Sequence, residues 1–204
     1  MPRMLSALAA LAFALGGASA LAANPEVELD TTAGVITLEL YPDAAPKTVD
    51  NFLRYVKDGH YDGTQFHRVI DGFMIQGGAY TADFSPRPTR GPIVNESESS
   101  SKAGHHNVPG TIAMARTSNP DSAMDQFFIN VATNASLDFR SPDPAGIGYV
   151  VFGKVISGMD VVEKIAKMPK GGRKIPPGAP PLDPRSLTTE PVLITKARVI
   201  EPAK

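Results

Sequence analysis

The sequence predicts a mainly β protein built on an antiparallel barrel. Apolar and polar residues alternate over Val27–Asp30 and Ile36–Leu40, as half-buried strands require. Short strand-like segments then recur down the chain between glycines and prolines, and only two stretches carry the helical apolar period. Many short strands with only two helices argue for a mainly antiparallel β-barrel.

Taken in order, the two alternating segments flank Thr31-Thr32-Ala33-Gly34, a turn candidate, and so read as a hairpin. Asp43 to Asp58 changes period. Val49, Phe52, Leu53 and Val56 fall on one helical face, Pro46 stands in the first turn, and Gly59 follows as a C-terminal cap. Strand-like pieces alternate with glycines over Tyr61–Gly78. The proline-bearing Thr81–Pro92 and the serine-rich Asn95–His106 read as loops. Thr111–Ala115 and Gln126–Val131 read as short buried strands, with Asn119-Pro120-Asp121 as a turn between them. Pro142–Gly148 is loop, Tyr149–Ile156 strand, and Gly158–Met168 a second helix stopped by Pro169. Gly171–Pro191 is a long loop, for which the expected role is none, and Val192–Ile200 is a closing strand.

Composition narrows the function classes. The 204 residues suit one domain plus a leader, and a chain without cysteine has no disulfide, zinc-thiolate site or catalytic thiol. With 20 basic and 21 acidic side chains, no nucleic-acid or anionic-membrane partner is indicated. Arg3, the apolar run from Met4 and the small residues Gly16–Ala23 have the order of a secretory signal peptide. The expectation is a signal peptide over residues 1–22, cleaved near Ala20 or Ala22, followed by one domain over residues 26–201. The product would be a periplasmic or secreted monomer with no stable membrane association.

Three motifs carry chemistry. The first is Phe66-His67-Arg68-Val69-Ile70-Asp71-Gly72-Phe73-Met74-Ile75-Gln76-Gly77-Gly78. The second is Gly110-Thr111-Ile112-Ala113-Met114-Ala115-Arg116, followed by Gln126-Phe127-Phe128-Ile129. The third is Tyr149-Val150-Val151-Phe152-Gly153-Lys154-Val155. In content and order they resemble the signatures of the cyclophilin family of peptidyl-prolyl cis-trans isomerases. The resemblance implies a closed eight-stranded antiparallel barrel with a helix over each open end. It also implies proline-containing polypeptides as substrates and a role in folding exported proteins.

The chemistry of that reaction explains the residue types. Rotation about a peptide C–N bond is opposed by a resonance barrier of ~18–20 kcal/mol. A catalyst needs only to bind the twisted amide better than either planar form, so no cofactor or metal is called for. In the twisted state the prolyl nitrogen regains its lone pair. A guanidinium aimed at it, with its permanent charge and rigid fork, stabilises that state selectively. The resemblance maps Arg68 onto this role and Phe73, Met74, Phe128, Leu137 and Tyr149 onto the proline pocket. Gln76 and Gln126 would hold substrate amides or the guanidinium, and Ala115 and Arg116 would offer backbone groups. His67 is assigned to structure as a satisfied imidazole. His60, His105 and His106 match no metal-ligand spacing, and the last two read as a solvated pair. A peptide-binding module without turnover, or a bare interaction scaffold, would not need Arg68 beside the pocket.

The chain departs from the family pattern at three positions. Tyr149 stands where a histidine is common, Arg116 where an asparagine is common, and Ser136 where eukaryotic relatives carry tryptophan. The loss of that indole predicts weak binding of cyclosporin-type cyclic peptides.

Overall fold

The computed structural model describes residues 23–200; the leader read over residues 1–22, with its cleavage sites, and residues 201–204 lie outside that range. The strands are β1 (Glu26–Thr31), β2 (Gly34–Leu40), β3 (Thr64–Gln65), β4 (Arg68–Ile70), β5 (Met74–Gly77), β6 (Thr111–Met114), β7 (Phe127–Asn130), β8 (Val151–Ser157) and β9 (Leu193–Ile200). They form one antiparallel sheet in the order β3-β9-β1-β2-β8-β6-β7-β5-β4. The expected hairpin is β1–β2, with Thr31 opposite Gly34 and the Thr31 hydroxyl donating to the Gly34 carbonyl over 2.6 Å.

The closed eight-stranded barrel is corrected. The sheet has nine strands and curls into a half-barrel whose edges, β3 and β4, share no ladder. Loop backbone takes the place of that ladder. Gln65 N–H donates to the Tyr80 carbonyl over 2.8 Å, and Thr64 bridges Thr81. The outer edge of β3 is thereby covered without closure, which removes an exposed pairing template.

The two capping helices become three: α1 (Pro46–Lys57), α2 (Ser97–Lys102) and α3 (Met159–Lys167). Helix α2 lies in a segment read as loop, because its inward face is built from serines and shows no apolar period. Ser97 and Ser100 are buried, and the Ser100 hydroxyl donates to the Val151 carbonyl over 2.5 Å. Just before α2, the Glu96 carboxylate accepts from the N–H groups of Lys47 and Thr48 over 3.1 and 2.8 Å. It therefore caps the start of α1, where a negative charge also suits the helix dipole.

Helix α1 ends as its sequence predicts. His60 N–H reaches the Tyr55 carbonyl and Gly59 N–H the Val56 carbonyl, with Gly59 at φ 67°, a Schellman arrangement. Its inner face buries Val49, Phe52, Tyr55 and Val56. The Phe52 ring lies 5.2 to 5.6 Å from the rings of Tyr61, Phe127 and Phe152. Removing such a buried ring costs about 3–5 kcal/mol. Helix α3 starts at Gly158, where φ is +85° and a Cβ would stand 2.2 Å from the Val35 carbonyl oxygen, so only glycine fits.

The Gly171–Pro191 segment is mainly loop, with a single 3-10 turn at Pro184–Ser186. It is tied down at both ends. Leu187 and Thr188 are fully buried. Arg173 stacks on Phe84 at 4.5 Å and donates to Gln65 Oε1 over 2.6 Å.

Candidate active site

Strand alternation sorts side chains onto the two faces of the β4-β5-β7-β6 region. Val69, Ile75, Phe127 and Ile129 point into the main core beneath the helices. Arg68, Met74, Gln76 and Phe128 take the opposite face. There Met74, Ala113, Phe128 and Val151 form a second apolar cluster, with Phe73, Ala115, Leu137 and Tyr149 packed against it. Register then aligns the key residues in one row. Arg68 is opposite Gln76, Gln76 opposite Phe128, and Phe128 opposite Ala113.

The row opens into a pocket of about 180 Å³ lined by Arg68, Phe73, Met74, Gln76, Ala115, Arg116, Phe128, Leu137 and Tyr149. Every site residue expected from the sequence is there except Gln126. That residue lines an adjoining pocket of about 210 Å³, which also takes in Gln76, Ala115 and Arg116. The first pocket alone has room for about one side-chain ring.

The exposed Arg68 is steered without being neutralised. Its Nη1 donates to Gln76 Oε1 over 3.3 Å and lies 3.9 Å from Met74 Sδ, and its guanidinium sits 5.8 Å from the Phe73 ring centre. Gln76 is oriented in turn, donating from Nε2 to Gln126 Oε1 over 2.9 Å. Among the described residues Arg68 makes no ion pair. The arrangement can therefore offer a charged donor beside an apolar floor, which is what a twisted prolyl amide requires.

Several supports were not visible in the sequence. Phe73 follows Gly72, at φ 68°, and its carbonyl accepts from Val131 N–H and Asn134 Nδ2, each over 3.0 Å. Asn134 also donates to Asn130 Oδ1 over 2.7 Å, and Asn130 to Asn107 Oδ1 over 3.1 Å. This buried amide chain fixes the turn that carries Phe73. On the facing wall, Arg116 stacks over the Tyr149 ring at 4.6 Å, and Tyr149 meets Phe128 edge-on at 5.7 Å. Two of the three positions at which the sequence departs from the family pattern are thus partners. The Ala115 N–H is not available to a peptide, because it donates to the Gln126 carbonyl over 2.9 Å.

The histidine readings are corrected in part. His67 is buried as expected, but its Nδ1 has no partner, so the imidazole is not fully satisfied. Burial pushes its pKa down to about 4, against weaker upward pulls from the Gln65 backbone and the Gln126 side chain, so the ring is neutral at pH 7. His105 is not simply solvated; it stacks on Tyr41 at 4.0 Å. His60, read from the sequence only as matching no metal-ligand spacing, has its side chain buried against Asp125, with Nε2 3.0 Å from Oδ2. Among the described residues no three or more His, Asp and Glu side chains cluster so as to hold a metal ion. No described helix is long and apolar enough to cross a membrane.

Comparison with known proteins gives a consistent result. The family model for cyclophilin type peptidyl-prolyl cis-trans isomerases matches residues 26–199. The chain is 48% identical to a peptidyl-prolyl cis-trans isomerase of Streptomyces antibioticus, over 85% of this chain and 98% of that one. It is 52% identical to one from Acinetobacter baylyi, over 78% of this chain and 82% of that one. A crystal structure of a Cryptosporidium parvum cyclophilin type isomerase, in the presence of the dipeptide Ala-Pro, superposes with a TM-score of 0.65. It covers 86% of this chain and 99% of that one at 23% identity, a likeness of fold.

Proposed function

This chain belongs to the cyclophilin-type peptidyl-prolyl cis-trans isomerase family, and from that premise we propose how it acts, on what, and where. Its substrates are proline-containing segments of exported proteins. The proline ring occupies the floor made by Phe73, Met74, Phe128, Leu137 and Tyr149, and Arg68 donates to the prolyl nitrogen as the amide twists. Gln76 and Gln126 hold the guanidinium and the substrate backbone. The observation that carries this reading is Arg68, without an ion-pair partner among the described residues and oriented by Gln76 at the rim of an apolar pocket. The Ala-Pro dipeptide used with the Cryptosporidium parvum enzyme supports a proline-containing ligand for the same fold.

The protein works in the periplasm or outside the cell, as a monomer, after removal of the leader near Ala20 or Ala22. It binds cyclosporin-type cyclic peptides only weakly. Acceleration of cis-to-trans exchange of a short Ala-Pro peptide in a protease-coupled assay tests the activity. Fractionation with N-terminal sequencing of the mature chain tests the location. A chain retained in the cytoplasm with Met1 intact would overturn the export reading.

A further inference from the structure

The pocket holds two arginines and no acid. Arg68 and Arg116 both line it, every other lining residue is uncharged, and neither guanidinium makes an ion pair among the described residues. The acids nearby are engaged elsewhere. Asp125, in the adjoining pocket, is buried with its carboxylate on His60. Asp183, whose carboxyl feels the charge of Arg68, is forked by Arg185 over 3.0 and 3.1 Å.

Arg68 has a role in the prolyl reaction, but that role does not require a second cation. Arg116 is nevertheless held in place like a built element. Its Nε donates to the Gly148 carbonyl and its Nη1 to the Thr117 carbonyl, each over 2.9 Å, while its Cζ lies 4.6 Å from the Tyr149 ring centre. Three restraints fix the guanidinium, and Nη2 is left without a protein partner among the described residues. A pre-positioned, half-buried cation forfeits little side-chain entropy when it meets an anion, which is what usually weakens surface ion pairs. Arg116 also lines both pockets, so its charge acts on residues to either side of a proline seated on the floor.

We propose that Arg116, locked over Tyr149, makes this groove select peptides with an acidic side chain within two residues of the proline. A carboxylate there meets a fixed donor and the summed field of two cations; a lysine there is repelled by both. Uncharged Ala-Pro sequences are bound through the floor alone. This specificity rests on the assignment of the groove as the prolyl site.

The test measures kcat/KM by protease-free NMR exchange on matched peptides carrying Glu, Gln or Lys at each of two positions before and one after proline. At low salt the best position should favour Glu over Lys by about five- to tenfold, and high salt should shrink the ratio. In Arg116→Asn the ratio should fall towards one, whereas Arg116→Lys should keep part of it. If Arg116 merely props Tyr149, Glu and Lys peptides will slow by the same factor in Arg116→Asn and the ratio will persist, which overturns the proposal. Equal rates for Glu and Lys peptides in the wild-type protein overturn it too. A wild-type protein that turns over no Ala-Pro peptide at all would instead overturn the assignment of the groove.

Discussion

Arg68 on β4 stands directly across the ladder from Gln76 on β5, and its guanidinium donates to the Gln76 amide oxygen over 3.3 Å. The amide is itself anchored on Gln126, so the charge at the pocket rim is aimed by a two-step chain of uncharged groups. A carboxylate in the place of Gln76 would neutralise the charge. An amide orients it and leaves the charge intact.

Gln76→Leu should therefore lower kcat/KM by about tenfold, a fraction of the loss expected on removing a transition-state donor outright. The side chain is half-buried on the face away from the main core, so thermal stability should change little. Steady-state kinetics and a melting curve on the same preparation check both halves. Unchanged kinetics would mean that Gln76 does not aim Arg68.

His67 predicts a pH dependence of stability. Its pKa is about 4 in the native state, against about 6.5 for an unperturbed imidazole. Between those values the unfolded chain binds a proton that the folded chain refuses. Stability is thus fully present above about pH 6.5 and is lost as pH falls towards 4, by about 3 kcal/mol in all. His67→Gln removes this contribution. Urea midpoints at several pH values should show the wild type losing ground to the variant on acidification. A pH-independent difference would contradict a buried, neutral His67.

Ser136 is exposed in the 3-10 turn Ala135–Leu137, one residue before Leu137 of the pocket. Ser136→Trp should strengthen cyclosporin binding roughly ten- to hundredfold, from one new hydrogen bond and partial burial of the ring. Turnover of short peptides should hold, because Phe73, Met74 and Phe128 are untouched. Titration of inhibitor against both proteins in one assay gives the comparison, and equal inhibition constants would place Ser136 away from the groove.

The sequence disclosed what is local and periodic. Val27–Asp30 and Ile36–Leu40 alternate because one face of each is buried, and Val49, Phe52 and Val56 mark the inner face of α1. What it concealed depends on partners distant in the chain. Helix α2 packs through serine hydroxyls on carbonyls distant in the chain, Ser100 on Val151 of β8, Ser97 on Ile147 and Ser99 on Ala44, so it leaves no apolar signature. Whether β3 and β4 close a barrel is decided by where Tyr80 and Thr81 come to lie. The pocket residues were legible because three motifs arrive in a familiar order. The stacking of Arg116 on Tyr149 was not, since each position was read only as its own departure from the pattern. Nor does residue type reveal that His67 lacks a partner at Nδ1, because that depends on every neighbour of the ring.

The central claim is that Arg68 supplies the donor to the twisted prolyl nitrogen, and turnover of a short Ala-Pro peptide by Arg68→Ala tests it most directly. Arg68 is exposed and contributes nothing to the main core, so the variant should fold with an unchanged circular dichroism spectrum and melting transition. Its kcat/KM should fall by about two to three orders of magnitude. Arg68→Lys should also be poor, because an ammonium cannot keep the fork contacts. A folded Arg68→Ala protein that isomerises the peptide at close to the wild-type rate would contradict the account.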